Sequence, residues 1–275
     1  MSLWHRALDA LRPAPRPVPD ALWTDTLRHW AFLTDDRSAA DLARLRELSA
    51  LFLSQKQFHG AHGLQVTDAM ACAIAAQACL PVLFFGEPRR ALRWYDDFVV
   101  VVVQPGEAVA QREITDEAGV VHRYREVLAG EAMERGPVML SWSDIEASAD
   151  LQENGYSVVI HEFVHKIDMR SGSADGMPPL PPGFLGSRSM RQAREAWASV
   201  LEPAYEQFRE AVIVAERFGG APPWLDPYGA QSLAEFLPVA CEAYLTRRAR
   251  FAVEFPTLLP LFDAFFQRPA APYQL

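Results

Sequence analysis

Val158-Val159-Ile160-His161-Glu162-Phe163-Val164-His165-Lys166-Ile167-Asp168-Met169 decides how this chain is read. Ile160, Phe163, Val164 and Ile167 recur at helical offsets and make one apolar face. The spacing predicts a largely buried helix of about four turns, capped by Asn154 or Ser157 and stopped at Gly172. On it, His161 and His165 stand one above the other, roughly 5–6 Å apart at Cβ. From there each imidazole reaches a common zinc at about 2.0–2.1 Å. Glu162 falls beside such a metal rather than on it, where a general base for a metal-activated water has to be. The competing reading is two core histidines with an incidental glutamate. Burying three such groups without partners is costly, which favours the metal.

A catalytic zinc usually takes three protein ligands and keeps one position open. A third histidine six residues after His165 is excluded, because that position is Ser171 and no histidine follows His165 anywhere. His5, His29, His59, His62 and His122 all lie upstream. A downstream carboxylate is the natural alternative. Glu235 and Glu242 are seven apart, share a helix face and sit among apolar residues, where a metal would compensate their charge. Ser232 and Glu235 also fit a capping box, which would make Glu235 only a helix-start residue. The ligand reading is preferred for Glu235. Glu242 is assigned to orient a ligating histidine from behind, and Asp168, too far along the helix to share the metal, is a further supporting candidate.

Several blocks extend the pattern: Ala75-Ala76-Gln77-Ala78-Cys79-Leu80-Pro81-Val82-Leu83, Gly136-Pro137-Val138-Met139-Leu140-Ser141-Trp142-Ser143-Asp144-Ile145, His161 to Gly172, Asp226-Pro227-Tyr228, Ala234-Glu235 and Glu242-Ala243-Tyr244. With these blocks the chain resembles the Mlc titration factor A peptidases, zinc metallopeptidases related to the lethal-factor type, from about residue 40 to residue 268. The resemblance implies that His161, His165 and Glu235 bind one zinc ion and that Glu162 is the catalytic acid/base. It also implies a role for Tyr228, seven residues before Glu235, as a donor to the developing oxyanion. Read without the resemblance, Tyr228 is an ordinary turn tyrosine. Pro238 departs from the pattern and predicts a kink one turn after Glu235.

Half the residues are hydrophobic and the net charge is −9, with no dense basic patch, so direct nucleic-acid binding is not expected. Arg247-Arg248-Ala249-Arg250 reads as a solvated turn at a helix C-terminus. Three cysteines without ligand spacing fit reduced, buried thiols in the cytoplasm, and a structural zinc site would be richer in cysteine. Arginine outnumbers lysine 24 to 2, a mark of genome composition. No apolar run is long enough for a membrane span, and residues 1–11 do not read as a signal peptide. Leu3, Trp4, Ala7, Leu8 and Leu11 have amphipathic spacing suited to docking on the protein's own body.

An N-terminal segment with a Pro-rich linker (1–19) precedes one zincin-like peptidase domain (20–275). That domain divides into a helical part, about 20–95, and a catalytic part, about 96–275. Helices are predicted over 20–32, 38–54, 67–80, 188–217 (interrupted at Pro203), 230–247 and 257–266. Strands are predicted over 98–103 and 137–142, with a hairpin of 111–115 and 120–127 around Asp116–Gly119. The Pro-rich stretch 177–182 reads as a lid or a plain surface loop. The order is α+β, a small mixed sheet with an active-site helix and surrounding helices. Strand 137–142, placed just before the zinc helix, is expected to offer an edge to an extended peptide. The expected function is hydrolysis of peptide bonds in a peptide or protein substrate, with aminopeptidase action as one form of it. The alternative is a regulatory protein that sequesters a transcriptional repressor such as Mlc, with catalysis secondary.

Overall fold

The β-branched run at Val100–Gln104 lies inside a four-stranded sheet, with Val101 and Val103 fully buried. The computed structural model describes residues 15–106, 108–115, 121–128, 130–132, 136–150 and 155–268. The N-terminal amphipathic segment, the start of the Pro-rich linker, the hairpin turn and Asn154 lie outside the described residues.

Helices α1 (Asp20–His29) and α2 (Ala39–Gln55) open the fold, and Ser38 and Asp41 close a reciprocal capping box at the start of α2. Strand β1 (Gln57–Gly60) follows, within the stretch expected to be helical. Only Phe58 in it is partly covered, so it lacks the apolar alternation that marks a strand in sequence. Helix α3 (Asp68–Cys79) is buried from Cys72 to Cys79, as its nearly all-apolar sequence predicts. The single turn α4 (Pro88–Ala91) leads to β2 (Val100–Gln104). Strands β3 (Ala108–Thr115) and β4 (Val121–Leu128) pair antiparallel in the predicted hairpin. Strands β5 (Gly130–Ala132) and β6 (Val138–Ser141) complete the sheet, in the order β1-β2-β6-β5. The first three are parallel and β5 is antiparallel to β6.

Two expectations about β6 are corrected. It is bonded on both sides, by β2 and β5, so it has no edge for a peptide to join. Nor does it run into the histidine helix, because α5 (Trp142–Asp150) intervenes. The free edge on that side belongs to β5, which lies against the histidine helix α6 (Val158–Asp168).

The long helix α7 (Met190–Phe218) passes through Pro203 without interruption. Pro203 is exposed, so the carbonyl it leaves without a donor can face water. Helices α8 (Leu233–Thr246), α9 (Arg248–Glu254) and α10 (Leu258–Phe265) close the described chain. Arg248 is not part of a solvated turn. It opens α9 and donates to both oxygens of Asp263 at 2.7 and 2.6 Å, beside the hydroxyl of Tyr244. Among the described residues no helix is long and apolar enough to cross a membrane. All three cysteines are buried and unpaired with one another.

Helix α6 is wedged between α3, α8 and the sheet. Its apolar face is closed off completely, with Ile160 and Phe163 at 0% exposure, Ile167 at 1% and Val164 at 2%. Burying Phe163 alone is worth roughly 1.5–3 kcal/mol. Its ring meets Phe52, Tyr95 and Phe98 at 5.0–5.8 Å. The chain's two lysines flank the same aromatic group: Lys56 Nζ lies 3.9 Å and Lys166 Nζ 4.9 Å from the Phe98 ring centre. Lys56 donates to the carbonyls of Tyr95 and Phe98, and burial lowers its pKa to about 8. Lys166, on α6 and wholly buried, pairs with Asp97. An ammonium on a slender apolar stem suits these sites better than a planar guanidinium.

Lys166→Met should therefore cost about 3 kcal/mol or more in urea unfolding, because Asp97 keeps its charge and loses its partner. The double variant Lys166→Met/Asp97→Asn should regain most of that loss. Equal destabilisation of the single and double variants would contradict the pairing.

Candidate metal centre

Helix α6 begins where a backbone turn meets a carboxylate from another helix. Gly155 sits at φ +73, and a Cβ there would stand 3.1 Å from the Cα of Ala243 on α8, so the close approach needs glycine. Ser157 then caps the helix: its Oγ accepts from the N–H of Ile160 at 3.2 Å and donates to Gln77 Oε1 at 2.8 Å. The N–H of Ser157 donates to Glu242 Oε2 at 2.6 Å. The other oxygen of Glu242 lies 2.7 Å from His161 Nδ1. With Nδ1 held on that carboxylate, Nε2 of His161 faces the opposite way.

Glu235 faces that nitrogen there. Its Oε2 lies 3.1 Å from His161 Nε2 and 3.2 Å from His165 Nε2. The ring centres of the two histidines are 4.8 Å apart. The backbone and the side chain of Glu235 have separate partners. Ser232 Oγ accepts from its N–H at 3.2 Å, as an N-cap does, while its carboxylate turns to the imidazoles. Helix α8 continues through Pro238 with Glu242 still on His161.

Among the described residues, His161, His165 and Glu235 form a group whose donor atoms lie within 4.8 Å of one another. Two ligands of a tetrahedral zinc at about 2.0–2.1 Å stand roughly 3.3–3.4 Å apart. The 3.1 and 3.2 Å separations are close to that edge, and two imidazoles with one carboxylate are a zinc donor set, so the residues fit the ion.

The charges are strongly coupled. Burial opposes protonation of His161, but the bonds to Glu235 and Glu242 outweigh it and raise its pKa well above the ordinary value. Burial pushes the Glu235 carboxyl up, and the two histidines more than reverse this, holding it well below the carboxylate range. Glu162 and Glu242 are both raised, chiefly by burial, opposed by both histidines at Glu162 and by His161 and the Ser157 N–H at Glu242. Glu162, the more so for being only 5% exposed, is a weaker acid than a solvated carboxyl.

Tyr228 lies on a turn of 3-10 helix, Pro227–Ala230, in which Asp226 accepts from its N–H at 2.9 Å. Its ring centre is 5.9 Å from that of His161. Asp168 is placed differently from the other sequence candidates. Its hydrogen-bond partners are the N–H groups of Asp175 and Gly176 at 3.0 and 2.8 Å, not a histidine. Sequence reasoning missed Gln77 and Tyr156. A lone amide in the apolar run of α3 was the available signal for Gln77. The Tyr156 phenol is raised by burial and by the nearby Glu242 and Asp144 carboxylates, a proximity no local pattern announces.

The family model for the glucose-regulated metallo-peptidase M90 matches residues 3–267. The chain is 32% identical over 264 residues to Mlc titration factor A of Klebsiella pneumoniae (strain 342), covering 96% of this chain and 90% of the relative. It is 32% identical over 251 residues to the protein of the same name from Salmonella arizonae, covering 90% and 91%. Against that of Escherichia coli O1:K1 the identity is 33% over 228 residues, covering 82% and 78%. The chain belongs to the M90 metallopeptidase family.

Replacing Glu242 by alanine strips two buried donors of their acceptor. Glu242→Ala should lose about 2 kcal/mol or more of stability by urea titration. It should also shift the ring-nitrogen resonances of His161 away from a fixed Nδ1–H tautomer. A histidine spectrum unchanged in the variant would rule out the orienting bond.

Proposed function

From that membership, we propose that the chain is a zinc-dependent peptidase that hydrolyses peptide bonds with Glu162 as general base. The observation that carries the reading is the convergence of both Nε2 atoms on one oxygen of Glu235, at 3.1 and 3.2 Å. His161, His165 and Glu235 would hold the ion, and Glu242 fixes the ring of His161 from behind. When bound, zinc supplies Lewis acidity to the attacking water and to the scissile carbonyl.

The chain's own groups do the rest. The Glu162 carboxylate takes the proton of the attacking water on one oxygen and returns it to the nitrogen of the leaving amine. Its raised pKa suits both halves of that transfer. The Tyr228 hydroxyl, on a turn packed against α8, donates to the oxyanion that develops at the former carbonyl. Strand β5, antiparallel and at the sheet edge beside α6, is the backbone against which an extended substrate can pair.

Substrates with a free amino terminus are the first class to test. A cleft of about 490 Å³ beside Glu242 is lined by Asp144, Asp226, Tyr156 and Trp224, which give an ammonium group negative charge and an aromatic wall. The relatives' name, Mlc titration factor A, makes an Mlc-like repressor the second partner class, as a substrate or a bound protein. Sequestration alone is the poorer account, since it gives the buried Glu162 no task. A cytoplasmic setting agrees with the buried, unpaired thiols.

Purified protein should cleave a peptide or aminoacyl chromogenic library in a chelator-sensitive manner. Glu162→Gln should keep its zinc and lose at least about 10²-fold in kcat, and Tyr228→Phe should lose about 10²-fold with zinc retained. Glu235→Ala should lose the metal. Full turnover in Glu162→Gln, or activity indifferent to chelator, would refute the mechanism.

A further inference from the structure

We infer that the loop Ser171–Gly176, fastened by Asp168 and seated against Leu233, is a spacer that sets the separation of the two helices bearing the metal ligands. The inference rests on the metal-centre reading above and adds to it a positioning device that touches none of the ligands.

Asp168 is the last residue of α6, one turn beyond His165, and is wholly buried. Its Oδ2 accepts from the N–H of Asp175 at 3.0 Å and of Gly176 at 2.8 Å. Two N–H groups on one buried carboxylate oxygen make charge-assisted bonds, stronger than neutral ones. Ser171 closes the loop on itself, its Oγ donating to the carbonyls of Asp168 at 3.1 Å and Met177 at 3.0 Å. Gly176 is the point of contact with the other helix. A Cβ at this position would stand 2.8 Å from Leu233 Cγ and 2.9 Å from the Leu233 carbonyl oxygen, so bare backbone fills the gap. Leu233 is the first residue of α8, two before Glu235. A third anchor comes from the core: Trp197 Nε1, on α7, donates to the carbonyl of Gly176 at 2.8 Å, and its side chain is wholly buried.

The loop is therefore held from three sides, and residues beyond it are buried too. Pro178 and Leu180 are buried and Pro182 is exposed, so 177–182 is packed against the body along most of its length. Two glycines of positive φ now bracket the pair of helices. Gly155 meets α8 near its end at Ala243, and Gly176 meets it at its start. Between these contacts the Glu235 carboxylate is kept about one ligand edge from both imidazoles. A shift of a few tenths of an ångström at Leu233 is passed along a rigid helix turn to Glu235. Asp168 is thus a positioning residue, not a ligand and not a catalytic residue.

The test measures zinc affinity by chelator competition, the visible absorption of the cobalt(II)-loaded protein, and thermal unfolding of each variant without added metal. Asp168→Ala and Gly176→Ala should bind zinc about tenfold more weakly and show altered cobalt bands. Trp197→Phe should weaken binding by a smaller factor. Thr26→Val, which loses a hydroxyl bond to the Leu22 carbonyl within α1, should lower the unfolding temperature and leave affinity and bands unchanged. If Gly176→Ala does not fold, Asp168→Asn and Trp197→Phe decide the matter through the same two metal readouts. Loop variants that unfold earlier yet bind zinc within twofold of the parent, with identical cobalt bands, overturn the spacer while leaving the metal centre intact. A parent protein that binds no zinc removes the metal-centre reading and the spacer with it.

Discussion

The bond pair made by Glu242 is the interaction on which the site depends. One carboxylate, 2% exposed, receives the first N–H of the α6 turn and the Nδ1 side of His161. The first bond joins α8 to the start of α6. The second sets which way an imidazole faces. A buried carboxylate is costly by itself. Here that cost is offset by two short bonds, and the same bonds align His161 Nε2 with the position that Glu235 and His165 share. Stability and function therefore draw on one set of contacts, and a change that loosens either helix is felt by the donor set.

The hydrophobic core fixes what those polar contacts cannot. Four residues on one face of α6 are sealed against α3, the sheet and the Phe52–Tyr95–Phe98 group, which leaves the helix little freedom to roll. Helix roll matters because the histidines occupy a neighbouring strip of the same cylinder. A rotation of one residue's worth, about 100°, would carry both rings away from α8. The apolar periodicity around the motif is thus a condition for the motif to point anywhere in particular.

Much of this was legible in sequence because it is local. The cap at Ser157, the apolar face and the two histidines lie within eleven residues, and period alone assembles them. The α2 capping box and the buried run of α3 were readable for the same reason. Glu235 and Glu242 were harder. Seven residues apart, they share a face by any helical count. Only the tertiary arrangement separates them, one on the Nε2 side of both rings and one on the Nδ1 side of the first. Strand β1 was illegible because it is an exposed edge with no alternation to read, and β5 because three residues carry too little pattern. The interruption expected at Pro203 did not occur, since proline on the wet side of a long helix leaves its unmatched carbonyl to water. Asp168 was read as support for a histidine because spacing put it on their face, yet its partners are backbone groups of a loop no periodicity describes.

Glu235 shows why local and functional rules coexist here. In an ordinary capping box the glutamate side chain turns back to the N-cap, and both orphan donors are satisfied. In α8 the backbone half of that arrangement is kept, with Ser232 accepting from the Glu235 N–H, while the carboxylate is spent on two imidazoles. The first turn of a helix is a favourable place for a negative charge, because the unpaired N–H groups there stabilise it. Burial opposes ionisation of Glu235 even there, and its bonds to His161 and His165 are what hold its pKa low. For Glu162 burial outweighs the attraction of the same two histidines, and its pKa moves up instead. Two glutamates around the same pair of histidines are thus driven apart in acidity by whether the imidazoles bond to the carboxylate or only lie near it. In the mechanism proposed above, Glu235 would hold the cation and Glu162 would exchange the proton.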